Sequence, residues 1–417
     1  MINWRSNYAF ALYRDTESRW SEARLILGSF LIILLVGTLF LVQPSSHNGE
    51  VTFINALFTA TSAISVTGLG VVDTGTAFTL QGQIILLMLM EIGGLGQMTM
   101  TLLLIAMFSK RVGLRQQVLA KEALGQEGSV NIIQLVKRIV LFALIAQLIG
   151  TAIMAIRWVP EMGWGHGLYV SFFHAVSAFN NAGFSLFANN LIDYRDDPII
   201  SLTIPALLIL GGLGFTVIVD LVRNRRWRKL KLHSKLMLLM TPGLLLLGTL
   251  MFWLLEHNNP ATFGNAGPGG QLMAAFFQSA TARTAGFNTV DIGQMVPASL
   301  LFMMMLMFIG AGATSTGGGI KVTTFAVVLL ATRAFLTKRP HVTAFGRTLS
   351  PQIVTRSLAI IIVSTMVLML AMFLLMLTES QPFDKIMFET ISAFAPVGLS
   401  NGVPASLSEP GSRILVL

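Results

Sequence analysis

Cysteine does not occur in the 417 residues, and its absence removes disulfide frameworks, thiolate catalysis and cysteine-ligated metal sites together. Histidine is sparse: the 6 present are scattered and form no H-E-x-x-H pattern, which argues against a metal enzyme. Charge is scarce as well. Asp, Glu, Lys and Arg make up 11% of the chain, against about 25% in an ordinary soluble domain. No small-residue cleavage pattern follows the first apolar run, Leu25 to Val42, so that run reads as a retained helix and not a signal peptide.

What is present in excess is apolar surface. At 54% hydrophobic residues and a mean hydropathy of +0.72, the chain carries more than a soluble globule could bury, and a polytopic membrane protein is expected. The net charge of +9 raises the question of a nucleic-acid partner, but the basic residues are gathered on one side. The first residues (Arg5, Arg14, Arg19, Arg24) and the linkers Lys110 to Arg138, Arg223 to Lys235 and Arg333 to Arg356 hold 22 of the 28 Lys and Arg. The alternate segments carry Glu50, Asp73, Glu161, Asp193, Asp196, Asp197, Glu256, Asp291, Glu379, Asp384, Glu389 and Glu409. By the positive-inside rule the N-terminus and the basic linkers are cytoplasmic. The acidic side faces outward, where it concentrates cations and repels anions.

A short motif recurs. Apolar runs of about a dozen residues, too short to cross a bilayer at roughly 17, each end in x-x-Gly-apolar: Val66-Thr67-Gly68-Leu69, Asn181-Ala182-Gly183-Phe184, Thr284-Ala285-Gly286-Phe287 and Pro396-Val397-Gly398-Leu399. The glycines are 115, 103 and 112 residues apart, the spacing of an internal repeat. Each short run lies between longer ones: Leu25 to Val42, Phe53 to Ile64 and Thr79 to Phe108; then Ile139 to Trp158, Leu168 to Phe179 and Ile199 to Val222; then Leu236 to Leu255, Leu272 to Ala282 and Pro297 to Thr332; finally Ile353 to Leu377 and Phe383 to Phe394. The expected fold is an all-α membrane protein with four span–loop–span repeats around a central pore: 24–110, 131–223, 235–333 and 351–417, the last incomplete, after a cytoplasmic N-terminal segment, 1–23. Non-helical backbone at membrane depth must be buried in protein or line water, so the four loops should share one axis.

Glycine permits the positive-φ conformations that aim successive carbonyls the same way. A ring of such carbonyls can replace the hydration shell of a cation, and the negative ends of the four preceding half-helices add to the attraction. None of the four loops supplies a carboxylate, so the expected chemistry is carbonyl coordination. A second glycine-rich stretch, Gly310 to Lys321, lies inside the third long run and should break its helix below the loops. It is no phosphate loop, since Gly317 is followed by Gly318 and not by lysine. A gate is expected there, formed by Gly310, Gly312, Thr314, Ser315, Thr316, Gly317, Gly318, Gly319 and Lys321, with Lys321 repelling cations or pairing with a carboxylate.

Other residues have plainer readings. The G-G-L-G runs at Gly93 to Gly96 and Gly211 to Gly214 lie inside spans with no strand before them, which favours helix packing over dinucleotide binding. Glu91, Asp220 and Arg283 are costly in a membrane and are expected in structural ion pairs. His174 is expected to be packed. The basic run Arg223 to Lys231 suits the anionic inner leaflet or a cytoplasmic partner.

The V-T-G-L run with its half-helix, S-A-F-N-N-A-G-F, A-R-T-A-G-F-N-T and G-A-G-A-T-S-T-G-G-G-I-K together resemble the Trk/Ktr/HKT superfamily of potassium transporters, the bacterial Ktr membrane (ion-translocating) subunit above all. The resemblance covers essentially the whole chain. It implies potassium-selective uptake, with sodium as a second candidate ion and symport as one mode; filter glycines at Gly68, Gly183, Gly286 and Gly398; and a gate at the intramembrane loop. It further implies a homodimer in the bacterial cytoplasmic membrane, in contact with lipid, on a cytoplasmic ring of nucleotide-binding regulatory subunits, with no nucleic acid and no organic cofactor in this subunit. Gly68 goes with potassium preference. The family's fourth unit closes with a helix bearing an arginine, and ending at Leu417 leaves that inner wall unaccounted for. Two other classes stay open on the residues alone: a secondary transporter of another small solute, which would want inverted repeats, and a multi-pass membrane enzyme, for which no acid, base or metal-ligand pair is evident.

Overall fold

The computed structural model describes residues 28–49, 51–96, 132–313 and 315–402, together with Ser408, Gly411 and Ile414. The expected N-terminal segment, the linker 97–131, Thr314 and most of the chain beyond 402 lie outside the described residues. What is described is helical apart from one two-stranded hairpin. The helices are α1 (Gly28–Leu41), α2 (Phe53–Ile64), α3 (Leu80–Gly94), α4 (Ile132–Met162), α5 (Trp164–Phe179), α6 (Pro198–Gly212), α7 (Phe215–Arg223), α8 (Leu232–Glu256), α9 (Pro268–Thr281), α10 (Pro297–Phe308), α11 (Val322–Leu336), α12 (Pro351–Thr378) and α13 (Phe383–Phe394).

Hydropathy located these helices because each apolar run stops where a cap begins. Proline sits in the first turn of α6, α9, α10 and α12, where its missing N–H costs nothing. Several of the outward acidic residues are caps: Asp197 accepts from Ile199 and Ile200 N–H at 2.9 and 3.1 Å to start α6, and Asp73 accepts from Gly75 N–H at 2.7 Å. The long helices α4, α8 and α12 are apolar enough to cross a membrane, and each precedes a short one, α5, α9 and α13, against which it packs. The apolar core falls into three clusters: one around α2 and α3, one around α4 to α6, and one joining α8 to α10 with α13.

One feature departs from the expectation: the run Ile199 to Val222 is not one continuous helix but the pair α6 and α7, bent by 87°. Gly214 takes a φ of 89°, a left-handed conformation open to glycine, and α7 starts afresh there. The third basic linker is not featureless: Thr343–Ala344 pairs antiparallel with Arg347–Thr348. Phe345 and Gly346 turn the hairpin with φ of 50° and 74°, the sign of a primed turn.

Candidate functional site

The four glycine loops meet. After α2, α5, α9 and α13 the backbone is left-handed at Val66, Asn181, Thr284 and Pro396, with φ of 59°, 58°, 69° and 23°, and again two residues later at Gly68, Gly183, Gly286 and Gly398, with φ of 84°, 70°, 78° and 87°. Pro396 reaches the smallest value because its ring opposes the turn. The same two-step pattern recurs in all four loops. Positive φ alone does not single out glycine, since Val66, Asn181, Thr284 and Pro396 carry a β-carbon in it; the close approach of the neighbouring loop does.

The loops close on one another in chain order. A β-carbon on Gly68 would overlap the carbonyl oxygen of Ala182; on Gly183 it would lie 2.9 Å from that of Ala285; on Gly286, 2.7 Å from that of Val397; and on Gly398 it would overlap that of Thr67. Each glycine thus abuts the carbonyl that precedes the next, and the sequence 1-2-3-4 returns to 1. Val66, Leu69, Ala182, Phe184, Ala285, Phe287, Val397 and Leu399 are buried around this ring.

Short hydrogen bonds hold the ring in shape. Ser177 Oγ donates to Phe184 O at 2.8 Å, Ser392 Oγ to Leu399 O at 2.6 Å, and Thr281 Oγ1 to Phe287 O at 2.5 Å, each fixing the residue after a ring glycine. In the first loop the corresponding Ser62 hydroxyl is buried without a hydrogen bond, and Ser65 and Thr67 pair with each other at 2.7 Å. Sequence reasoning missed these groups. The signal was a Ser-Ala pair whose serine stands six residues before Gly68, Gly183 and Gly398 but seven before Gly286, so that in the third loop Thr281 takes over. Replacing Ser177 and Ser392 by alanine removes about 1 kcal/mol at each anchored carbonyl. A lower melting temperature of the detergent-purified protein is expected for each substitution.

On one side the ring opens into a cavity of about 440 Å3 lined by all four glycines and by Asp73 and Asp291, with no Lys or Arg in its wall. On the other side lies the glycine-rich loop between α10 and α11. Gly317 packs against Thr284 and Asn181, and Gly318 lies against the Pro396 ring, so the loop touches three of the four ring segments. Its ends are tied together: Gly310 N–H donates to Ile320 O at 2.9 Å and Ala311 N–H to Gly318 O at 3.2 Å. Of the expected gate residues Thr314 lies outside those described, and the remainder form this excursion.

The bend between α6 and α7 belongs to the same construction. Breaking a helix frees carbonyls, and the loop takes them up: Gly312 N–H donates to Gly212 O at 2.9 Å and Thr316 N–H to Gly211 O at 3.3 Å. Thr316 Oγ1 also donates to Phe179 O, at the end of α5, at 3.2 Å. The G-G-L-G runs do pack closely, as expected: a β-carbon on Gly93 would overlap Ile64 O and one on Gly211 would overlap Phe179 O. In addition both runs end a helix, which packing alone does not require.

The expected ion pairs are not formed. Glu91 accepts from Gln147 Nε2 at 2.8 Å and Asn180 Nδ2 at 2.6 Å. Asp220 accepts from Asn224 Nδ2 and the Lys231 N–H, both at 2.9 Å. Arg283 donates to Thr241 O at 3.0 Å, and Lys321 donates from Nζ to Gly317 O at 2.7 Å. Among the described residues the Lys and Arg that pair with carboxylates are Arg157 and Arg195. Amides and backbone groups take the place of a second ion at Glu91, Asp220 and Lys321, whereas Arg283 keeps its Nε buried without a hydrogen bond. His174 is packed as expected, stacked on Phe187, donating from Nδ1 to Val170 O at 2.8 Å and hydrogen-bonded through Nε2 to Ser185 Oγ at 3.0 Å. Substituting Glu91 by leucine strands the Gln147 amide and leaves the Asn180 amide with only Val176 O, a cost of about 2 kcal/mol. A lower melting temperature in detergent is expected, with Glu91→Gln intermediate.

Residues 9–414 match the TrkH family, described as cation transport protein. The chain is 57% identical to "Ktr system potassium uptake protein B" of Vibrio alginolyticus over 96% of its length and 89% of that protein. It is 38% identical to "Potassium/sodium uptake protein NtpJ" of Enterococcus hirae over 97% of its length and 90% of that protein. Its fold is similar to that of the potassium transporter TrkH from Vibrio parahaemolyticus, with a TM-score of 0.74 and 19% identity, over 93% of this chain and 81% of that one.

Proposed function

The chain belongs to the TrkH family of cation transport proteins, and from that premise we propose that it takes up potassium across the bacterial cytoplasmic membrane. Membership of a transport family sets aside the membrane-enzyme alternative. The observation that carries the proposal is the closed ring of four left-handed loops, in which each glycine abuts a neighbouring carbonyl. A cation that leaves water there meets oxygen on every side, and the four short helices end with their carbonyl termini directed at it.

In this reading the chain works as four units, 24–110, 131–223, 235–333 and 351–417, around one pore. Val66 to Leu69, Asn181 to Phe184, Thr284 to Phe287 and Pro396 to Leu399 are the filter. The carboxylates of Asp73 and Asp291 raise the local cation concentration in the outer cavity. The loop from Gly310 to Lys321 is the gate, and Lys321 sets a positive charge beside the path. Sodium is the second ion, in keeping with the name of the Enterococcus hirae relative. The N-terminus is cytoplasmic. Two copies assemble as a homodimer, and the basic linkers meet a cytoplasmic ring of nucleotide-binding subunits, in keeping with a relative named for a Ktr system.

The test is growth of a potassium-uptake-deficient host at limiting potassium, together with flux in proteoliposomes. Potassium-dependent rescue and a potassium flux that exceeds sodium flux are expected; a protein that inserts and passes neither ion overturns the proposal.

A further inference from the structure

We propose a binding site for the phosphate of an anionic phospholipid at the cytoplasmic end of α11, separate from the pore. Three backbone bonds reverse the chain after this helix: Thr337 N–H to Arg333 O at 2.9 Å, Lys338 N–H to Phe335 O at 3.0 Å and Arg339 N–H to Ala334 O at 2.8 Å. The reversal carries Arg339 and His341 back toward Arg333. The hairpin strand at Thr343 closes the other wall, leaving a cleft of about 60 Å3. Arg333, Arg339, His341, Thr337 and Thr343 line it, with Ala334 buried at its base. Among the described residues no carboxylate lines the cleft and neither arginine side chain has an ion-pair partner. Two arginines that line one small space bring like charges together until an anion joins them, and a guanidinium fork matches the oxygens of a phosphate.

The immediate surroundings point to a lipid as the source of that phosphate. Phe335 and Leu336, on the same turn, are 81% and 73% exposed. In a membrane protein an apolar pair beside unpaired cations, at the end of a helix on the basic side, stands where acyl chains give way to headgroups. One phospholipid satisfies both: the phosphate enters the cleft and the acyl chains cover Phe335 and Leu336. The acidic surface of a cytoplasmic protein would meet the charges but leave this pair uncovered.

The full chain, purified in detergent, is titrated with phosphatidylglycerol and the bound lipid counted by native mass spectrometry, beside Arg333→Gln/Arg339→Gln and a charge-matched control, Lys338→Gln/Arg347→Gln. Both pairs are exposed, and both proteins should fold and conduct. About 30-fold weaker lipid binding is expected from the first pair, from the loss of two cations at the headgroup, and little change from the second. Equal binding by the first pair and the original chain overturns the proposal. So does equal weakening by the control pair, which would mean diffuse attraction, or displacement of the lipid by inorganic phosphate at the same concentration, which would mean a free-phosphate site.

Discussion

Gly398→Ala is expected to abolish most potassium transport while leaving the protein inserted and folded. The added methyl meets two obstacles. Its backbone φ is 87°, which costs an L-residue about 1–2 kcal/mol. It would also overlap Thr67 O, a carbonyl of the neighbouring loop, and overpacking of this kind costs about 1–3 kcal/mol. Nothing flexible can give way, because the obstructing atom is backbone and that loop abuts the next one. A combined penalty of about 3 kcal/mol on the arrangement of the four loops, if they coordinate the ion as proposed, corresponds to roughly a hundredfold loss of flux. Gly163→Ala separates the two causes: φ there is 82° but no atom lies within 4 Å of the new methyl. Flux close to the original in Gly163→Ala, and collapsed flux in Gly398→Ala, would assign the loss to ring closure. Comparable fluxes in both would sink that account.

Deleting Gly312 to Gly318 is expected to raise potassium flux severalfold. The segment lies against three of the four ring loops, and it leaves and rejoins its span at nearly one place, since Ala311 N–H donates to Gly318 O and Gly310 N–H to Ile320 O. Joining Ala311 to Gly319 therefore need not move α10 or α11, as with other loops whose ends are close. The price is three carbonyls, those of Phe179, Gly211 and Gly212, which lose a donor and must find water in the opened path. Thr316→Val, which removes only the bond to Phe179 O, should raise flux less, by roughly fivefold or under for a bond of about 1 kcal/mol. Flux measured in proteoliposomes at matched protein density decides the matter, and a deletion that inserts normally but conducts no faster rules out a gate.

Much of this was legible in the sequence because a membrane punishes polar interruptions. Phe53–Ile64 and Phe383–Phe394 are helices over the same residues as the apolar runs, each ended by its loop. The bend at Gly214 was not legible, for Ile199 to Val222 stays apolar on both sides of it and hydropathy does not register a change of direction. The partners of Glu91 were hidden for another reason. Asn180 lies 89 residues away and Gln147 56, and no local pattern joins the end of one half-helix to a span of the unit before. The third loop's extra residue could be counted in the sequence, but only the geometry explains how Thr281 replaces the serine.

The loop beneath the ring touches Asn181, Thr284 and Pro396 from a single segment of the third unit. Were the four units separate, identical chains, rotational symmetry would force four copies of that segment into the space one now fills. If this segment is the gate proposed above, covalent fusion is what admits it: one unit would obstruct the path without a copy in each quarter, and a single segment would open or close without coordinating four.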